Sequence, residues 1–144
     1  MIEGVKITKL KIISDQRGKV MHMLRNDSSI FQKFGEIYFS TIFKDSIKGW
    51  HLHSESYLNY ACIYGKTKLV LYDDRVNSST KGKFHEIILS RDNYFLVTIP
   101  PNVWNGFKGL EFEESIIANC LTLPHSEKEM IRKEPKDKYF NYKW

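Results

Sequence analysis

The densest run of groups able to do chemistry in this sequence is Lys48-Gly49-Trp50-His51-Leu52-His53. On an extended chain, residues two apart share a face, so the imidazoles of His51 and His53 project together. Two histidines at this spacing are half of a metal site. The remaining candidates are dispersed. Cys62 and Cys120 each lie in an apolar stretch with no second Cys or His at zinc-ribbon spacing. They read as buried packing residues, with neither a disulfide framework nor a structural zinc site expected. His22, His85 and His125 read as surface or turn residues, and Trp50, Trp104 and Trp144 as core and cavity wall. Lys and Arg number 22 against 17 Asp and Glu, a net charge of +5. The basic residues are scattered as singletons and pairs, which argues against a nucleic-acid partner and suits a pocket for a phosphorylated small molecule.

Groups like these need a scaffold to hold them. With 144 residues, 42% apolar and 14% aromatic, the chain is one domain, residues 1–144, able to bury a core and not disordered. No apolar run approaches the roughly 20 residues of a bilayer span, and MIEGVKITKLKIISD lacks the apolar stretch of a signal peptide. A soluble cytoplasmic protein with no membrane partner is expected. Short runs rich in Ile, Val, Tyr, Phe and Thr recur: Val5 to Ser14, Lys19 to Leu24, Phe34 to Ile42, Ile47 to His53, Leu58 to Tyr64, Thr67 to Asp74, Phe84 to Leu89, Tyr94 to Ile99, Val103 to Phe107 and Ser115 to Leu123. Turn chemistry separates them, as in Asp15-Gln16-Arg17-Gly18 and Pro100-Pro101-Asn102. About ten short strands without a long amphipathic helix predict an all-β antiparallel barrel or jelly roll. One helical segment is expected at Ser126 to Lys133, where Ser126 caps and Glu129 takes the capping-box position. The aromatic tail, with Tyr139, Phe140, Tyr142 and Trp144, should pack back on the barrel.

His51-x-His53 is similar to the opening of the cupin metal pattern, which continues with a Glu, a Gly six residues later and a final His. Here the Glu slot falls on Leu58, before Gly65, and the last His slot on Asn105. Two imidazoles and an amide make a poor transition-metal site, so no metal and no cofactor are expected. The frame resembles a particular cupin family. Asp15-x-Arg17-Gly18 looks like the early D-x-R-G turn of the dTDP-4-dehydrorhamnose 3,5-epimerases, and Lys48-Gly49-Trp50-His51 like their R-G-L-H strand. Asp73-Asp74-Arg75 with Ser78 to Gly82, Ile99-Pro100-Pro101, Asn105-Gly106-Phe107, Glu134-Pro135 and Tyr142-Lys143-Trp144 follow in the family's order.

The resemblance implies a double-stranded β-helix fold and an isomerase acting on a nucleotide-linked 4-keto-6-deoxy sugar, with dTDP as the carrier, in surface polysaccharide synthesis. It implies His51 as general base, with Glu134 where the family has a carboxylate partner. Lys48 stands for a diphosphate-binding Arg, Arg17 for an Arg that reaches the nucleotide of the other subunit, and His53 falls where the family has a polar group that contacts sugar or phosphate; Tyr60 and Asn105 are further expected substrate-binding residues. It further implies a homodimer, the N-terminal strand of each chain joining its partner's sheet. The departures are substantial. The family's enolate-stabilising Lys is Leu58, its following Asp is Leu69, the His before Gly-Phe is Asn105, and its acid Tyr maps near Ala118-Asn119-Cys120. Tyr38, Tyr57 and Tyr60 are the candidates for a substitute acid. The alternative is a non-catalytic sugar-nucleotide-binding cupin that keeps the cavity without the acid and the Lys.

Overall fold

The computed structural model describes residues 1–111 and 114–144. Alternation of branched or aromatic residues with polar ones, cut by turns, yields twelve strands among the described residues: β1 Lys6–Lys9, β2 Ile12–Asp15, β3 Gly18–Met21, β4 Glu36–Phe43, β5 Ile47–His53, β6 Leu58–Tyr64, β7 Lys66–Asp73, β8 Phe84–Ser90, β9 Phe95–Ile99, β10 Val103–Gly109, β11 Glu114–Leu121 and β12 Met130–Arg132. They form two five-stranded sheets, ordered β1-β9-β6-β11-β4 and β12-β5-β10-β7-β8, and a separate β2–β3 hairpin. Every strand pair is antiparallel. Period-two side chains send alternate residues of both sheets into one shared core. Among the described residues no helix is long and apolar enough to cross a membrane.

The interior is apolar for most of its length and polar along one side. Leu69 and Leu71 on β7, Ile87 and Leu89 on β8, and Val97 and Ile99 on β9 make its apolar side. Tyr38, His51, His53, Tyr60 and Asn105, from β4, β5, β6 and β10, make the polar side, which is where a ligand can be recognised. Asp73, at the end of β7, is fully buried. Arg75, Ser78 and Thr80 all donate to its carboxylate, and Arg75 also reaches the Glu3 carbonyl at 2.6 Å. The Asp73 to Gly82 turn is thereby tied to the N-terminus, a structural task.

Two expectations need correction. The first run, Val5 to Ser14, is not one strand. It breaks at Leu10-Lys11, where β1 stays on β9 while β2 leaves to pair with β3. The hairpin and the segment after it lay Leu10, Ile12, Met21, Met23 and Ile30 over Ala61, Tyr94 and Leu96 on the outer face of the first sheet. The helix over Ser126 to Lys133 is also absent. Ser126 caps a single turn, taking the Lys128 and Glu129 backbone N–H groups. The chain then straightens into β12, paired Met130 to His53, Ile131 to Leu52 and Arg132 to His51. Eight residues form a marginal helix on their own, and the Glu129 carboxylate, needed for a capping box, is drawn away to His53 instead.

The expected packing of the tail holds. Phe140 stacks on Trp50 with ring centroids 4.3 Å apart, and Trp144 lies 4.8 Å from the same indole. The Trp144 indole N–H closes the tail by donating to the Pro135 carbonyl at 3.0 Å. These rings cover the outer face of β5, leaving Trp50 fully buried.

Candidate active site

The site begins with an irregularity in β5. Asn105 on β10 stands opposite His51, but Phe107 stands opposite Lys48, so two residues of β10 face three of β5. This bulge puts Lys48 and His51, three apart, on the same side as His53. It requires small residues beneath it: a Cβ on Gly106 would stand 3.0 Å from the Lys48 carbonyl oxygen and 2.8 Å from the Trp144 ring. The three β5 side chains line a cavity of about 370 Å³ with Tyr38 and Ser40 of β4, Tyr60 of β6 and Arg132 of β12. Lys48 Nζ reaches Ser40 Oγ at 3.3 Å.

His53 is held by a carboxylate. Its Nδ1 lies 2.6 Å from Glu129 Oε1, and the two residues are only 3% and 6% exposed. The other carboxylate oxygen accepts the backbone N–H groups of Glu55 and Ser56. Burial alone would raise the Glu129 carboxyl, but the imidazole and the two amides offset it and hold the group below the usual carboxylate range. An ionised carboxylate only accepts hydrogen bonds, so His53 Nδ1 carries the proton that faces Glu129, and Nε2 is the nitrogen turned away from the carboxylate. His51 differs. Burial, then the cations Arg132 and Lys48 together with His53, brings its imidazole down to about 4, which leaves the ring neutral at physiological pH.

Of the residues singled out from sequence, Lys48, His51, His53 and Tyr60 come together in the cavity. Asn105, fully buried, backs it: its amide donates to the His51 carbonyl at 3.0 Å and accepts from the Tyr60 hydroxyl at 3.2 Å. Tyr38 and Tyr60 line the cavity, whereas Tyr57 does not. Glu134 borders a neighbouring recess with His51, Arg132 and Asp137, and no hydrogen bond joins it to His51 among the described residues. Arg17 stands apart on the β2–β3 turn, 90% exposed and paired with Asp15 at 2.7 Å. In the two remaining metal-frame slots, Leu58 is core and Asn105 is committed to its amide bonds. Among the described residues no cluster of three His, Cys, Asp or Glu could hold a metal ion. Cys62 and Cys120 are buried free thiols, and burial pushes the Cys62 thiol up to about 11.

Sequence reasoning missed Glu129 and Arg132. Both were hidden inside the expected helix, and the only local signal was the alternative the segment offered, a polar turn leading into the branched Ile131.

The family described as dTDP-4-dehydrorhamnose 3,5-epimerase matches the chain over residues 1–144. The chain belongs to this family. As an epimerase-family member it shares 34% identity over 110 residues with a spore coat polysaccharide biosynthesis protein of Bacillus subtilis, covering 76% of this chain and 73% of that one. It is 29% identical over 123 residues to a probable low-salt glycan biosynthesis epimerase of Haloferax volcanii, covering 84% and 79%. Among solved structures, a dTDP sugar isomerase from Desulfovibrio desulfuricans superposes with a TM-score of 0.97 at 38% identity, covering 99% of this chain and 92% of that one. The fold is therefore the cupin jelly roll of the sugar-nucleotide epimerases.

Proposed function

We propose that this epimerase inverts a carbon next to the ketone of a dTDP-linked 4-keto-6-deoxy sugar, in the cytoplasm, for polysaccharide synthesis. The observation that carries the reading is His53 in the wall of the cavity with the buried Glu129 carboxylate on its Nδ1. A ketone acidifies the C–H bonds on its two neighbouring carbons, and a neutral imidazole can take such a proton at Nε2 while the carboxylate behind it stabilises the imidazolium that forms. His53 is the base in this reading and Glu129 its positioning residue. His51, kept neutral, donates to the oxygen on which enolate charge develops. Lys48 and Arg132 offer cations to the diphosphate. Proton transfer alone changes the configuration, so the reaction calls for no redox cofactor or metal. Membership of an epimerase family, with relatives named for polysaccharide and glycan biosynthesis, supports this reading over a non-catalytic binder.

The reading is tested with purified protein in heavy water. A dTDP-linked 4-keto-6-deoxyhexose should gain deuterium at a carbon flanking the ketone, seen by NMR. Absence of uptake across dTDP-, GDP- and CDP-linked substrates would sink it.

The proposal includes a homodimer. Arg17 is exposed and lines no part of its own cavity, and Ile37, Phe39 and Phe43 are exposed on β4, at an edge of the first sheet. Two chains meeting through this side would bury those side chains and could bring Arg17 to the partner's nucleotide. Light scattering should give twice the 17.0 kDa chain mass. Mixing Arg17→Ala subunits with His53→Asn subunits should restore part of the activity through heterodimers carrying one intact site. A 17.0 kDa species at micromolar concentration removes the dimer, and no recovery on mixing removes the role of Arg17 in trans.

A further inference from the structure

The two cavity tyrosines lie on β4 and β6, in the sheet opposite β5, so they face His51 and His53 across the space a ligand would fill. Amides at both ends orient their hydroxyls. Asn119 Oδ1 accepts the Asn59 backbone N–H at 3.1 Å, so the end of Asn119 that meets the Tyr38 oxygen, at 3.0 Å, is the donor Nδ2. Asn105 gives its Nδ2 to the His51 carbonyl, leaving Oδ1 to accept from Tyr60. Tyr60 also shares with Tyr38 a hydrogen bond that favours the ionised form of Tyr38. The one proton of Tyr60 thus has two acceptors in reach, Asn105 Oδ1 and the Tyr38 oxygen. When it turns to Tyr38, that oxygen accepts from both Asn119 and Tyr60, and its own proton is left to point into the cavity.

We infer that Tyr38 is the acid that delivers a proton to the sugar face opposite His53, with Tyr60 as the positioning residue behind it. The inference rests on the epimerase reading above. His53 removes the proton, and the electron pair of the broken C–H bond passes into the enolate. The enolate carbon then takes the Tyr38 proton, forming the new C–H bond on the other face and leaving a phenolate between the Asn119 and Tyr60 donors. The imidazolium loses its proton to solvent and the phenolate regains one, so nothing is oxidised or consumed. Burial pushes the Tyr38 phenol above its ordinary value, which keeps it protonated at neutral pH until an enolate demands the proton. The Tyr60 proton is taken by Asn105 Oδ1 or by the Tyr38 oxygen, so Tyr38 is the phenol with a proton to spare for the ligand.

The test separates exchange from inversion. In heavy water, wild-type protein should deuterate and invert the carbon of a dTDP-linked 4-keto-6-deoxyhexose together. Tyr38→Phe should still deuterate it, because His53 can return a deuteron to the face it left, while inversion slows by roughly 10²- to 10⁴-fold. Tyr60→Phe should slow inversion by about tenfold, again with exchange outrunning it. Binding of thymidine diphosphate, followed by calorimetry, reports that each variant is folded. If Tyr38→Phe inverts at the wild-type ratio to exchange, or loses exchange and inversion equally while binding thymidine diphosphate, the assignment is overturned. If wild-type protein shows no exchange, the epimerase reading itself fails and takes this assignment with it. If wild-type protein exchanges and inverts, only the Tyr38 result decides.

Discussion

Replacing His53 by Asn should slow deuterium uptake next to the ketone by about 10³-fold, the range expected when a positioned base is lost. Glu129→Gln should cost about 10²-fold, because a neutral amide neither fixes the Nδ1–H tautomer nor stabilises an imidazolium. His51→Asn should cost less than either. The reverse ranking, with His51→Asn and Glu134→Gln the most damaging, would return the base to His51. Stability must be measured alongside, since removing His53 strands a buried carboxylate at a cost of about 3 kcal/mol. The double variant His53→Asn with Glu129→Gln removes that stranded charge. It should be more stable than His53→Asn alone and no more active, a pattern that separates a chemical loss from a folding one.

The other large effect lies on the opposite face of β5. Phe140→Ala should lower stability by about 3–5 kcal/mol, visible as a fall in the thermal midpoint on the order of 10 °C. Phe140 is itself buried and stacks on the buried Trp50. Tyr139→Ala, at a residue that is 46% exposed, should cost about 1 kcal/mol or less. A chain ending at Asp137 loses Phe140, Tyr142 and Trp144 together. That loss is comparable with the whole stability of a domain this size, so the shortened chain should not fold. An unchanged midpoint for Phe140→Ala would show that the tail does not support the sheet.

Much of this architecture could be read in the sequence because sheets write themselves locally. Ile47 to His53 and Leu58 to Tyr64 carry their alternation and turn residues within a few positions, and both are strands over that same span. The pairing of His51 with His53 in one cavity followed from period two alone. The failures share a cause. Glu129 meets His53 across 76 residues of sequence, and no local pattern reports a contact at that distance. Its segment offered a capping motif, which is a local signal, and strand pairing with β5 overrode it. The bulge that aligns Lys48 with His51 was likewise invisible, because it is a mismatch between β5 and β10 and belongs to neither strand alone.

The division of the interior into an apolar side and a polar side bears on how the enzyme can be engineered. Leu69, Ile87, Leu89 and Val97 sit on strands that contribute nothing to the lining of the candidate site. Volume-conserving changes at Ile87 and Leu89 on the edge strand β8 should combine nearly additively with substitutions in the polar half, whereas changes at Val97, which pairs with Tyr60, should couple to them. Thermal robustness and substrate choice can then be selected in separate libraries, the first repacking β8 and the second varying β4, β5 and β12.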